Sequence, residues 1–176
     1  MIWIDDPITG AGIPVPDEWT VLDGGGNLPL IAVDTSGGHG VYAPTIVVSV
    51  VALGATDALH EFADRNGEAW GAADASAITL STVEGELDGV PVRETLVSTL
   101  VGSSGVSTIS HFLVAHGLGV RFDVSVEAWD TLAARELARS ILAQAHLPVR
   151  PPAEAVDSHD LGALIESAIT AAAPRG

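Results

Sequence analysis

The chain has 176 residues, of which 47% are hydrophobic, so it is long enough for one domain with a sizeable core. Its formal net charge is −16 and its seven basic residues are all arginine, which argues against nucleic acid or an anionic membrane surface as a partner. The absence of cysteine excludes disulfides, thiol catalysis and cysteine-ligated metals.

The first half of the sequence predicts three strands followed by a helix. The turn at Pro16-Asp17-Glu18-Trp19 leads into the first strand, and further strands are predicted at 28–33 and 42–53. The last of these is apolar on both faces, which is typical of a strand inside a covered sheet. Thr56 predicts the cap of a helix that ends near Ala73. Its apolar face consists of Leu59, Phe62, Ala63, Ala69, Trp70 and Ala73.

The segment from residue 77 to residue 126 predicts four successive strands with no helix between them. The strands cover residues 77–87, 90–100, 106–115 and 118–126. Short turns join them, and parallel strands would need long crossovers, so we expect an antiparallel meander. The predicted fold class is therefore α+β, with an antiparallel sheet of six or seven strands packed with two helices.

Apolar and polar residues alternate along the last predicted strand. We expect its apolar side chains to face the core, namely Val120, Phe122, Val124 and Val126. We expect the intervening residues to face the other way, namely Arg121, Asp123, Ser125 and Glu127.

The C-terminal third predicts a second helix at 130–145, a proline-rich linker at 148–157 and an amphipathic helix at 158–172. The expected organisation is thus an α/β domain over 1–147 with the linker and the helix appended. The apolar stripe of the last helix supplies the candidate partner-binding residues Leu161, Leu164, Ile165, Ala168 and Ile169. This stripe either packs on its own domain or reaches a second copy of the chain or another protein.

The order of these elements resembles the PsbP-like α/β-sandwich superfamily. The local motifs that carry the resemblance are Pro16-Asp17-Glu18-Trp19 and Gly89-Val90-Pro91, and the match covers roughly residues 13–147. Within the superfamily the chain is most similar to the actinobacterial LpqN-type proteins. The resemblance implies a non-enzymatic binding or accessory role and supplies no catalytic residues. LpqN-type members carry a signal peptide and a lipidated cysteine; the sequence shows neither and no membrane-spanning segment, so we expect a cytoplasmic protein without membrane insertion.

No catalytic, cofactor or metal site is predicted. The histidines do not have metal-ligand spacing and are scattered at His39, His60, His111, His116, His146 and His159. Gly102-Ser103-Ser104-Gly105 lies in a hairpin turn rather than in a strand-to-helix elbow, so no serine nucleophile is expected there. Glu84, Glu86 and Asp88 are interpreted as a charged strand end.

Three charged residues on the predicted strands leave two interpretations open. Arg93, Glu94 and Arg121 could anchor an anion if two of them share an uncovered face of the sheet. Otherwise they form cross-strand ion pairs, which is the more common arrangement.

Three functions follow from these observations. The leading hypothesis is a non-enzymatic binding or accessory protein that acts through contacts with an unidentified protein, including self-association. The second is a small-molecule carrier or an enzyme with a pocket between sheet and helices. The third is a structural subunit of a homo-oligomer.

Overall fold

The computed structural model describes residues 1–6, 9–22, 30–36, 42–54, 58–87 and 89–148. Within these residues the protein has the predicted α+β class, with a seven-stranded antiparallel sheet, a two-stranded sheet and two α-helices. Apart from Pro148, the predicted linker at 148–157 and helix at 158–172 lie outside the described residues.

Nine strands and two helices are described. In chain order they are β1 (Ile2–Asp5), β2 (Gly12–Val15), β3 (Trp19–Leu22), β4 (Leu30–Asp34), β5 (Thr45–Ala52), α1 (Leu59–Ala73), β6 (Ile78–Leu87), β7 (Val90–Val101), β8 (Ser104–Ala115), β9 (Leu118–Glu127) and α2 (Thr131–Leu142). The large sheet has the order β3-β4-β5-β9-β8-β7-β6, and β1 pairs with β2 in the small sheet.

The predicted meander is confirmed. Strands β6 to β9 pair antiparallel in sequence order, and β5 adds to β9 in the sheet interior, as its apolar character indicated. The β7–β8 turn is tighter than expected, because β8 begins at Ser104 and only Gly102 and Ser103 lie between the two strands. The positive φ of 61° at Gly102 suits such a turn.

The two helices lie on opposite faces of the large sheet. Helix α2 packs on the main core through Ala134, Ala138 and Ile141. The strand residues of that core include Ile46, Val48, Ile109, Leu113, Val120, Phe122, Val124 and Val126. Helix α1 packs on the other face through a smaller cluster of Phe62, Ala63 and Phe112.

The alternation predicted for β9 is present, but both faces of the strand are covered. Arg121, Asp123 and Glu127 point away from the main core and are nevertheless buried. Helix α1 covers Arg121, which bonds to Asn66 of that helix. The predicted apolar face of α1 was too long, since Ala69 and Ala73 are exposed.

The hairpin of β1 and β2 was not predicted. Its strands have four residues each, which gives too short an alternation to identify. It packs on the α2 side of the molecule, where Ile13 and Val15 join the main core. Gly12 also forms a β-bridge with His146, so the chain after α2 is fixed against β2.

Candidate functional site

Helix α2 covers only part of its face of the sheet and leaves a groove beside it. The floor is β7, where Val92, Glu94 and Leu96 point to the α2 side, as their pairing with buried core residues of β8 shows. Strand β6 forms the far side, and Val83 lies opposite Glu94 in the register. We call this feature the α2 groove.

The wall of the α2 groove is a stripe along the helix. Arg135 and Arg139 both reach Glu94, and Leu132 and Leu142 continue the same stripe at helical spacing. Several apolar side chains along the groove are exposed: Ile78 by 62%, Val83 by 51%, Leu100 by 61% and Leu132 by 78%. The groove is therefore an apolar surface whose centre carries charge.

Part of the α2 groove forms a cleft of about 300 Å³. It is lined by Val83, Glu84, Gly85, Glu86, Leu87, Val92, Glu94, His111, Arg139 and Leu142. The side chains of Glu84 and Glu86 belong to the opposite face of β6 by alternation, because Val83 and Gly85 oppose groove residues. The titratable side chains that the cleft presents from its own face are thus Glu94, His111 and Arg139.

Glu94 is the centre of a buried charge cluster. One carboxylate oxygen lies 2.7 Å from the guanidinium of Arg135, and the other lies 3.2 Å from His111 Nε2 and 3.4 Å from Arg139. The side chain of Glu94 is 8% exposed, whereas that of Arg139 is 63% exposed. Both carboxylate oxygens of Glu94 are therefore occupied by contacts within the protein, whereas the guanidinium of Arg139 is exposed in the groove.

The sequence contained both partners of the Glu94–His111 contact without showing that they meet. The register of β7 and β8 places them directly opposite each other. Burial lowers the pKa of His111, and the neighbouring Glu94 carboxylate opposes this effect. The neutral ring donates from Nε2 to Glu94, and Nδ1 is a buried acceptor without a partner among the described residues.

The lowered pKa of His111 predicts a loss of stability in mild acid. The unfolded chain takes up this proton near pH 6.5 and the folded chain only at lower pH, so the free energy of unfolding falls as pH drops below about 6.5. The variant His111→Gln should lose this part of the dependence. Urea unfolding at pH 7.5 and pH 5.5 measures it. The control is His60→Gln, which removes an exposed histidine. If both variants reduced the pH dependence of the free energy of unfolding equally, the assignment of that dependence to His111 would be wrong.

The charged residues on the α1 side form a separate set. Arg93 bonds to Asp64 of α1 at 2.9 Å, and Arg121 bonds to Asp123 at 2.7 Å. The Arg121 guanidinium also lies 5.2 Å from the ring centroid of Trp70. Arg93 and Arg121 thus share a face, but α1 covers it, and Glu94 lies on the other face. Neither an anion site on an uncovered face nor cross-strand pairing among these three residues is present.

The other residues considered from the sequence do not converge. Within the described ranges, no three histidine, aspartate or glutamate side chains are grouped so that they could hold a metal ion. Ser103 lies in the β7–β8 turn, and Glu84 pairs with His60 at 3.3 Å. Outside the described residues lie His39, Asp88, His159 and the candidate partner-binding residues Leu161, Leu164, Ile165, Ala168 and Ile169.

None of the helices in the described part of the chain is long and apolar enough to cross a bilayer.

Comparison with known structures identifies the fold. No protein-family model and no curated protein sequence matches the chain. Three solved structures superpose with a TM-score of 0.62 each. Cyanobacterial PsbP from Synechocystis is 14% identical, and the alignment covers 83% of this chain and 91% of that one. The chain has the PsbP-like fold.

Two further structures with the PsbP-like fold come from distant organisms. LpqN of Mycobacterium tuberculosis, a protein involved in cell envelope biogenesis, is 18% identical, with 81% of this chain and 86% of that chain covered. The Ran-binding protein Mog1p of Saccharomyces cerevisiae is 10% identical, with 83% and 94% covered. The predicted resemblance to PsbP-like and LpqN-type proteins is thus confirmed at the level of the fold.

Proposed function

We propose that this protein is a non-enzymatic binding or accessory protein that acts through protein–protein contacts, and that the α2 groove is its docking surface. The observation that carries the proposal is the set of exposed apolar side chains along the groove, namely Ile78 and Val83 on β6, Leu100 on β7 and Leu132 on α2. Exposed apolar surface arranged in this way is characteristic of interaction sites rather than of ordinary protein surface.

The chemistry of the groove supports binding over catalysis. Both oxygens of Glu94 are engaged by arginine or histidine, and Nε2 of His111 is engaged by Glu94. The adjacent Ser110 belongs to the opposite face of β8 by alternation, so it does not join His111 as a nucleophile. Mog1p, which shares the fold, is described as a Ran-binding protein, and this likeness supports an accessory role.

A small-molecule carrier is the second candidate. The cleft of about 300 Å³ lies at the lower end of the size range of ligand sites, and it combines apolar walls with a few polar groups. Native mass spectrometry of untagged protein tests this reading. A mass excess that disappears on denaturation supports a carrier, whereas the bare protein mass supports docking of a partner.

The docking function predicts that two aspartates in the groove abolish partner capture. The double variant Val83→Asp/Leu132→Asp alters exposed positions, so the fold should survive while the apolar contacts are lost. We expect recovery of a specific partner from lysate of the native host to fall about tenfold or more, since losing interface anchors costs at least about 1.4 kcal/mol. Quantitative mass spectrometry of the captured proteins measures the ratio.

The matched control for this capture is Ile2→Asp/Val21→Asp. It introduces the same charges at exposed apolar positions on β1 and β3, away from the groove. Capture that falls equally in both variants, or that recovers no protein repeatedly with the parent chain, would overturn the proposed function. The cytoplasmic location remains a prediction from the sequence, and the likeness to LpqN, a protein of cell envelope biogenesis, gives it no support.

A further inference from the structure

The α2 groove matches the chain's own C-terminal segment in length. Its floor from Val92 to Leu100 extends about 27 Å at the rise of a β-strand. A helix over residues 158–172 would be about 22 Å long. The stripe of that segment, from Leu161 to Ala172, provides an apolar side chain at every turn.

After α2 the chain lies against β2, so the segment must return across that helix to reach the groove, and the linker is long enough for this. Leu142, the last residue of α2, lines the cleft, and Pro148 is buried only six residues later. Residues 149–157 can span about 30 Å when extended, which exceeds the diameter of one helix, about 10–12 Å. The segment can therefore reach the groove of its own chain.

The charges are complementary at the end where the segment would enter. Arg139 is exposed beside the cleft, near the C-terminal end of α2. In the segment, Asp157 lies one helical turn before Leu161, in line with the apolar stripe, and Asp160 lies beside that stripe. A helix that enters beside Leu142 brings these two carboxylates to Arg139 and carries its apolar residues on toward Leu132 and Leu100.

We propose that residues 158–172 form a helix that docks in the α2 groove of the same chain, with Asp157 and Asp160 next to Arg139. The candidate partner-binding residues Leu161, Leu164, Ile165, Ala168 and Ile169 then cover the groove. The docking of the segment does not depend on the proposed function. If the groove also binds a partner protein, as proposed above, the segment competes with that partner, and this consequence rests on the proposed function.

Disulfide trapping in the full chain tests the docking directly, because the chain contains no other cysteine. The variant Val83→Cys/Leu161→Cys places one thiol on the groove and one on the segment. The control variant Ala72→Cys/Leu161→Cys places the first thiol on the exposed side of α1, on the opposite face of the sheet. Under mild oxidation we expect the groove pair to close within one chain about tenfold faster or more, since docking raises the effective concentration of the two thiols.

Charge reversal supplies a second readout in the same experiment. Adding Arg139→Glu to the groove pair should slow closure several-fold, and adding Asp157→Arg and Asp160→Arg as well should restore it. Equal rates for the groove and control pairs, or disulfides that form between two chains instead of within one, would overturn the proposal. No partner protein is required, so this test fails or succeeds separately from the capture test.

Discussion

Replacing Glu94 by alanine is expected to lower the free energy of unfolding by about 3 kcal/mol or more. The substitution leaves the guanidinium of Arg135 without its ion-pair partner and the buried, neutral Nε2–H of His111 without its acceptor, and breaking a buried ion pair typically costs about 3–5 kcal/mol. The exposed Arg139 adds little to this loss because water replaces its partner. Urea unfolding at pH 7.5, followed by circular dichroism, measures the change.

Two further variants separate the charge of Glu94 from its shape and from a general effect. Glu94→Gln keeps the size of the side chain and removes its charge, so its loss should be smaller than that of Glu94→Ala. Glu136→Ala removes an exposed carboxylate from α2 and should change the free energy of unfolding by no more than about 0.5 kcal/mol. If Glu94→Ala were as mild as Glu136→Ala, the buried cluster would have no structural role.

Replacing Phe122 by alanine is expected to lower the free energy of unfolding by about 3–5 kcal/mol. Phe122 is 1% exposed and belongs to the main core beneath α2. Truncation removes its buried ring and leaves a cavity that neighbouring strands cannot close. The same urea titration measures the loss.

The matched aromatic control is Trp129→Ala. Trp129 is 70% exposed, and the change should stay within about 0.5 kcal/mol. Comparable losses in the two variants would show that the main core is not centred on Phe122.

The large sheet could be predicted from local signals. Asp88-Gly89, Gly102-Ser103 and His116-Gly117 interrupt apolar alternation at short range, and turns of this kind depend on the conformations of only a few residues. The bounds predicted for the four meander strands therefore agree with the structure to within two residues. The interior position of β5 also followed from its own composition, since a strand apolar on both faces must be covered on both faces.

The α2 groove could not be predicted in the same way. Glu94 meets His111 through the register of β7 and β8, and it meets Arg139 through the position of α2 across the sheet. Both depend on packing between residues far apart in sequence, whereas sequence patterns report the periodicity of one segment at a time. The sequence shows that Glu94 and His111 are present, but it does not show that the fold brings their side chains into contact.

The unequal anchoring of the two helices has a consequence for hydrogen exchange. Helix α2 is fixed by Ala134, Ala138, Ile141 and Leu142, whereas the buried side chains of α1 are Phe62 and Ala63 alone among its residues. Segments with few buried apolar contacts open at lower free energy than the rest of a domain. Amide protons of α1 should thus exchange with solvent through local detachment, while those of β8 and β9 exchange only when the whole domain opens.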